Sequence, residues 1–388
     1  MMPGMEPLDR TLLPAGIRAR MVPGINGLTV HVLEAGFETP NRPCVLLLHG
    51  FPELAYSWRK VMLPLAAAGF HVIAPDQRGY GRTTGWDGDY DGDLASFRVL
   101  NLVRDALALV AAFGYRQVDV VGHDFGSRVA AWSALTRPDV FRRVVLMSAP
   151  FDVPPGLPFN TLAGASQAEP PSVAVARTLA DLANLPRPRK HYQWYYGERG
   201  ANADMQHCAQ GVHDFMRAYY HYKSADWKQN QPIPLKGWSA DELAKLPTYY
   251  VMDAALGMAQ TVVLEMPSAA QIAACQWLPD GELAVYSGEY QRNGFQGGLQ
   301  WYRCGTDPKA TAELQLFSGR TIDVPSMFIA GKSDWGTYQS PGAFERMQSR
   351  ACTRMTRCHL VEGAGHWVQQ EQAAAVTRLL LDFLRAAA

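Results

Sequence analysis

Gly122-His123-Asp124-Phe125-Gly126 follows an apolar run and opens a helix-like stretch. Small residues on both sides of a central side chain permit a sharp strand-to-helix turn that presents that side chain in a strained, exposed position. The central residue here is Asp124, not Ser. A carboxylate needs no base to activate it. It attacks an sp³ carbon more readily than an acyl group and leaves an ester on the protein itself. An aspartate that merely caps a helix N-terminus has the same local sequence, so the surrounding motifs decide between the two.

His49-Gly50-Phe51-Pro52 follows the apolar run Cys44 to Leu48. A loop at that place can supply one backbone N–H of an oxyanion hole, and the residue after the nucleophile supplies the other; the two are Phe51 and Phe125. Each such donor is typically worth about 10²–10³ in rate. Asp334, in Gly331-Lys332-Ser333-Asp334, and His366, in Gly363-Ala364-Gly365-His366-Trp367, each stand just past a strand-like run. In a parallel sheet both side chains reach the carboxyl edge, where the turn at Asp124 also lies. Nucleophile, acid and histidine in this chain order form an α/β-hydrolase triad. Asp152, after the run Val144 to Met147, competes for the place of the acid.

The elements that must position these groups are legible as alternation. Strands are predicted at Leu28 to Leu33, Cys44 to Leu48, Val72 to Ala74, Gln117 to Val121 and Val144 to Met147. Helices are predicted at Leu100 to Phe113, ended by Gly114, and at Ser127 to Arg137. Strand–helix alternation implies a parallel sheet covered on both faces. The pattern stops at Phe151, and residues to about Pro171 read as a connector rich in Pro, Gly and Ala. Residues 175–320 are helix-like and aromatic; 11 of the 16 tyrosines fall between 151 and 322. Strands return at Ser326 to Ala330 and Met355 to Val361, and a final amphipathic helix starts near Gln372. The expected architecture is an α/β-hydrolase core of 1–150 and 323–388, with a mostly helical cap of 151–322 inserted in it.

Composition narrows the partners. Of 388 residues, 36 are Lys or Arg and 36 Asp or Glu, so the formal charge is zero. A nucleic-acid binder carries a basic excess, and this chain has none. No apolar run approaches the roughly 18 residues that span a bilayer, and the N-terminal stretch has no continuous apolar segment of the kind that directs secretion. Cys44, Cys208, Cys275, Cys304, Cys352 and Cys358 show no metal-ligand spacing. A cytoplasmic protein without metal or cofactor is expected, monomeric or a homodimer.

The motifs together carry a resemblance. His49-Gly50-Phe51-Pro52-Glu53, Ser57-Trp58-Arg59, Asp76-Gln77-Arg78-Gly79-Tyr80-Gly81 and the Asp124 turn resemble the epoxide hydrolases of the α/β-hydrolase superfamily. In the cap, His191-Tyr192-Gln193-Trp194-Tyr195-Tyr196 and Gly297-Gly298-Leu299-Gln300-Trp301-Tyr302-Arg303 resemble the segments that bear that family's two oxirane-activating tyrosines. The resemblance implies that Tyr192 and Tyr302 form the acid pair. It also implies that Asp124 forms an ester with the substrate, and that His366, supported by Asp334, activates the water that hydrolyses it. A small, mostly apolar epoxide and water are the expected reactants and a vicinal diol the product. Phe51, Phe125, Trp194, Trp301 and Trp367 are the expected substrate-binding aromatics. The chain departs from the family in having Phe125 where Trp is frequent and in a longer gap between Tyr192 and Tyr302. Lys223 to Val263 is expected to be extra cap material that reshapes the pocket.

Two other functions use the same fold. Haloalkane dehalogenases hold the leaving halide with side-chain N–H donors beside the nucleophile, and Phe51 and Phe125 have none. A haloacid enzyme wants an arginine pair there; Arg128 is present, but its partner position is Phe125. A ligand-binding receptor on this fold would show a broken triad or a missing tyrosine, and neither is missing here.

Overall fold

Short runs of Val, Leu and Ile that are apolar at every position, rather than at alternate ones, form the centre of the sheet. β3 (Cys44–Leu48), β5 (Val118–His123) and β9 (Ser326–Gly331) are buried along their whole length. Strands buried on both faces need covering layers on both sides. The computed structural model describes residues 5–157 and 171–386. Its main sheet also contains β1 (Ile17–Ile25), β2 (Leu28–Ala35), β4 (His71–Pro75), β6 (Phe141–Met147) and β10 (Met355–Val361), in the order β1-β2-β4-β3-β5-β6-β9-β10. From β4 to β10 every pairing is parallel, and β2 is antiparallel to both its neighbours.

The predicted strands and helices all form, with ends shifted by at most three residues. β1 was absent from the expectation because Pro23 and Gly24 interrupt its alternation, and its register with β2 shifts between Val22 and Ile25. On the sheet, α1 (Arg59–Ala67) packs against the C-terminal helix α8 (Ala373–Arg385), and α2 (Val99–Ala112) against α3 (Phe125–Thr136).

After β6 the chain leaves the sheet and returns at β9. Of the expected connector, 158–170 lies outside the described residues; 151–157 has no regular structure. The cap includes α4 (Tyr192–Tyr196), α5 (Gly211–Lys223), α6 (Asp280–Asn293) and α7 (Gln296–Thr306). It is not wholly helical: β7 (Arg189–His191) and β8 (Val251–Asp253) pair antiparallel, His191 opposite Val251. Strands of three residues are too short to leave a period in the sequence.

Cap and core are joined by buried polar contacts. Tyr220 Oη donates to Pro52 O at 3.2 Å, Tyr290 Oη to Glu53 O at 3.3 Å, and Trp301 Nε1 to Arg78 O at 2.9 Å. Arg59 of α1, 2% exposed, pairs with Glu282 of α6 and donates to Gln370 Oε1 at 2.9 Å. At one point the backbones themselves touch. A β-carbon on Gly297 would lie 2.0 Å from Gly79 O, and one on Gly79 2.5 Å from Gly297 O. Neither neighbour is a side chain that can swing aside. Among the described residues, no helix is long and apolar enough to cross a membrane, and no cluster of His, Cys, Asp or Glu could hold a metal.

Gly297→Ala therefore separates α7 from the core. Overpacking of this kind costs about 1–3 kcal/mol, and urea unfolding should show a loss in that range. Because α7 carries Tyr302, turnover should fall as well. An unchanged unfolding midpoint would show that the two backbones are not in forced contact.

Candidate active site

The sharp turn after β5 holds Asp124 at φ 53°, ψ −119°. A β-carbon makes positive φ costly, of order 1–3 kcal/mol, and such strain persists only where the surroundings over-determine it. The surroundings here are close-packed backbone. A β-carbon on Gly122 would lie 2.0 Å from Gly126 O, and one on Gly126 would lie 2.1 Å from Leu48 O. The Asp124 side chain accepts no hydrogen bond from the helix it opens. It is not a cap.

Instead the carboxylate faces the other loops at the carboxyl edge of the sheet. Phe51 N, just past β3, donates to Asp124 Oδ1 at 3.0 Å. His366 Nε2, past β10, is 3.4 Å from Asp124 Oδ2 and hydrogen-bonds no other protein group. Its other nitrogen, Nδ1, is 3.0 Å from Asp334 Oδ1, past β9. Asp334 is 2% exposed and also accepts from Gly336 N at 2.7 Å. Asp152, the competing acid, is instead held by Arg346 through contacts of 2.8 and 2.5 Å. Phe125 is the first residue of α3, with its ring 4.5 Å from that of Tyr302.

Burial pushes the Asp124 carboxyl up, but the His366 hydrogen bond and charge, with Lys223 and His123, reverse this and hold it well below the usual carboxylate range. Lys223 ends α5, 3% exposed, with its ammonium 4.8 Å from the Tyr250 ring centre and 5.5 Å from that of Trp367. Its carbonyl accepts from His366 N at 2.9 Å, and burial lowers its amine's pKa while Asp124, Asp334 and Glu53 pull it back up. Beneath the turn lies a second charged layer. His123 Nδ1 is 2.5 Å from Glu53 Oε2, and His123 Nε2 is 2.7 Å from His366 O; both side chains are fully buried. Burial raises Glu53 and lowers His123, and their mutual attraction overrides both, leaving Glu53 below and His123 above their ordinary values. This layer was not singled out from the sequence, although both residues sit inside the quoted motifs.

The cap contributes two phenols to the same cavity of about 420 Å³, which Asp124, Phe125, Tyr192 and Tyr302 all line. Their ring centres are 5.8 Å apart. Burial, then neighbouring phenols and Asp124, pushes both well above their ordinary value, so both hold their protons at neutral pH. Tyr192 Oη donates to Gln339 Oε1 at 3.0 Å and accepts from Gln193 Nε2 at 3.2 Å. Gln339 was missed by sequence reasoning: a glutamine in a loop carries no periodic or motif signal.

Four of the five expected substrate-binding aromatics do not line this cavity. The Phe51 ring is 1% exposed and packs among Tyr196, Phe295 and Tyr302; only its amide faces Asp124. Trp301 turns its indole to Arg78 O and backs the Phe125 ring, 5.6 Å away. Trp194 packs on His191 and Trp238, beside a separate cleft. Trp367 stacks on Tyr220, 4.2 Å away, and donates to Tyr220 O. Phe125 does line the cavity. A motif locates an aromatic residue, but the side-chain rotamer decides which surface it covers. The segment Lys223 to Val263 likewise lies outside the lining. Tyr250 O accepts from Tyr192 N at 2.8 Å and β8 pairs with β7, so this segment holds the Tyr192 backbone from behind.

The pair beneath the turn gives a pH dependence of stability. Glu53 titrates below its ordinary 4.5, so its contribution is present above pH 4.5 and is lost as pH falls through the lower folded value. His123 titrates above its ordinary 6.5, so its contribution is present below pH 6.5 and is lost as pH rises through the higher folded value. Urea unfolding of Glu53→Gln against wild type should show a deficit of about 3 kcal/mol that is largest between pH 4.5 and 6.5. A deficit independent of pH would mean that no ion pair is present.

Comparison with known proteins agrees with this arrangement. A family model described as the alpha/beta hydrolase fold matches residues 43–181. Epoxide hydrolase A of Mycobacterium tuberculosis is 33% identical over 92% of this chain and 95% of its own length. Epoxide hydrolase B of the same organism is 30% identical, over 92% and 96%. Among solved structures, an epoxide hydrolase from an endophytic Streptomyces superposes with a TM-score of 0.74 at 32% identity, covering 96% of each chain. Potato (Solanum tuberosum) epoxide hydrolase I gives 0.70 at 27%, covering 95% of this chain and 99% of its own.

Proposed function

The chain belongs to the epoxide hydrolases of the α/β-hydrolase fold, and on that premise we propose that Asp124, His366, Asp334, Tyr192 and Tyr302 carry out the hydrolysis in two steps. In the first, a carboxylate oxygen of Asp124 bonds to a ring carbon of the epoxide and the carbon–oxygen bond of the ring breaks. The electron pair goes to the ring oxygen, which takes a proton from a cap phenol. General-acid help of this kind is typically worth about 10²–10⁴. Tyr302 is the better placed donor, since Tyr192 already donates to Gln339.

In the second step His366 Nε2 takes a proton from water, and the resulting hydroxide attacks Cγ of the Asp124 ester. The Phe51 and Phe125 amides stabilise the oxyanion, and Asp334 supports the imidazolium that forms. Collapse expels the diol's second oxygen, which takes the proton from His366. Asp124, left as a carboxylic acid, releases its proton to solvent and the phenolate regains one, so both groups return to their starting forms. One observation carries this reading: a carboxylate held at positive φ shares a cavity with two protonated phenols and lies beside an imidazole whose Nε2 has no other partner.

The same reading divides the chain into a core of 1–150 and 323–388 and a cap of 151–322, and it places the protein in the cytoplasm as a monomer or homodimer. Its substrate is a small epoxide whose oxirane enters between Phe125 and the two tyrosines.

A single turnover in ¹⁸O-water with enzyme in excess tests the ester. Unlabelled diol and label in the Asp124 carboxylate are expected, and label in the first-turnover diol would overturn the mechanism. His366→Gln should accumulate the ester, seen as an increase in intact mass equal to the epoxide. Tyr302→Phe should slow ester formation by about 10²–10⁴ while leaving the ester's hydrolysis nearly unaffected.

A further inference from the structure

One charged side chain in the substrate cavity has no role in that chemistry. Arg128 lies on α3, one helical turn after Asp124, and lines the cavity together with Asp124, Phe125 and Tyr302. Other arginines at the core–cap boundary are paired: Arg59 with Glu282, Arg78 with Asp105, Arg82 with Glu289. Among the described residues Arg128 forms no ion pair and donates no hydrogen bond, and the cavity's other peripheral carboxylate, Asp152, is occupied by Arg346. Its guanidinium reaches up to the cap. Nη1 lies 3.3 Å from where a β-carbon on Gly305 would be, near the C-terminal end of α7. The partial negative charge of a helix C-terminus favours a cation there without neutralising it.

A half-buried guanidinium with no anion beside it among the described residues is free to pair with one that enters the cavity. Its planar fork matches a carboxylate in two parallel hydrogen bonds. We propose that Arg128 is the substrate's anion anchor, and that the cavity takes an epoxide bearing a carboxylate a short chain away from the oxirane. This assignment rests on the epoxide-hydrolase reading and names the substrate class of the same site. Asp124 and Arg128 line the same cavity as separate groups, so the oxirane and the carboxylate must be separate parts of the substrate. The neutral composition of the chain gave no sign of this, because it sums over the whole chain while the cavity holds a cation unpaired among the described residues.

The test compares an epoxyhexanoate with a terminal oxirane and its methyl ester, assayed for diol formation with the full-length protein. Wild type should prefer the carboxylate by about tenfold or more in kcat/KM, chiefly through KM, as expected when binding is uniform along the reaction. The preference should shrink with added salt. Arg128→Met should bring the ratio close to one, and Arg128→Lys should retain part of it because the charge remains while the fork is lost. Turnover of the ester by the same variant preparations reports that they are folded. A wild-type ratio near one, or a ratio unchanged in Arg128→Met, overturns the anchor and leaves the hydrolase reading intact. Absence of turnover with both compounds overturns the hydrolase reading, and this proposal with it.

Discussion

A carboxylate kept ionised inside a protein must find its compensation in fixed groups, and most of this structure is arranged around that demand at Asp124. Water would solvate the charge at no structural expense. The protein replaces it with the Phe51 amide, the His366 imidazole and the buried Lys223 ammonium, each brought from a different part of the chain. A parallel sheet suits this task because the ends of its strands converge at one edge. β3, β5, β9 and β10 each deliver one functional loop there.

The turn that presents Asp124 is strained, and the strain is held by contacts that side chains cannot relieve. Gly122, Gly126 and Leu48 meet backbone to backbone. The His123–Glu53 pair lies directly beneath, tied to the His366 carbonyl. Asp124 and His366 are therefore fixed to one another through a buried charged layer as well as through the sheet. Lys223 adds a link from the cap, since its backbone holds His366 while its ammonium rests among aromatic rings.

The cap supplies the two phenols that line the cavity beside Asp124. Its aromatic density reads at first as a lining for an apolar substrate, yet most of those rings pack on one another. Trp367 stacks on Tyr220, Trp301 backs Phe125, and Tyr250 supports Tyr192. A large aromatic surface buried in a continuous cluster gives the cap the rigidity to hold two phenols at a set distance from the sheet. The cavity itself sets two phenols, two glutamines and the Arg128 guanidinium among apolar side chains such as Phe125, Trp132, Phe151 and Leu314.

How much of this was legible beforehand depends on the range of the interaction. The sheet strands were legible because consecutive apolar residues need burial on both faces. The turn at Asp124 was legible because only small residues fit beside it, and the order Asp124, Asp334, His366 places three groups at one sheet edge. β7, β8 and β1 were not legible, being too short or too interrupted to show a period. Sequence by itself determined the fold, the family and the residue types available for chemistry, since these follow from local patterning and from motifs of a few residues. Only the tertiary structure decided that Asp334, not Asp152, meets His366, that Gln339 holds Tyr192, that four expected aromatics do not line the cavity, and that Arg128 has no ion-pair partner among the described residues. Each depends on which surfaces meet after the chain has closed on itself, and a side chain's partner hundreds of residues away leaves no mark in the local sequence.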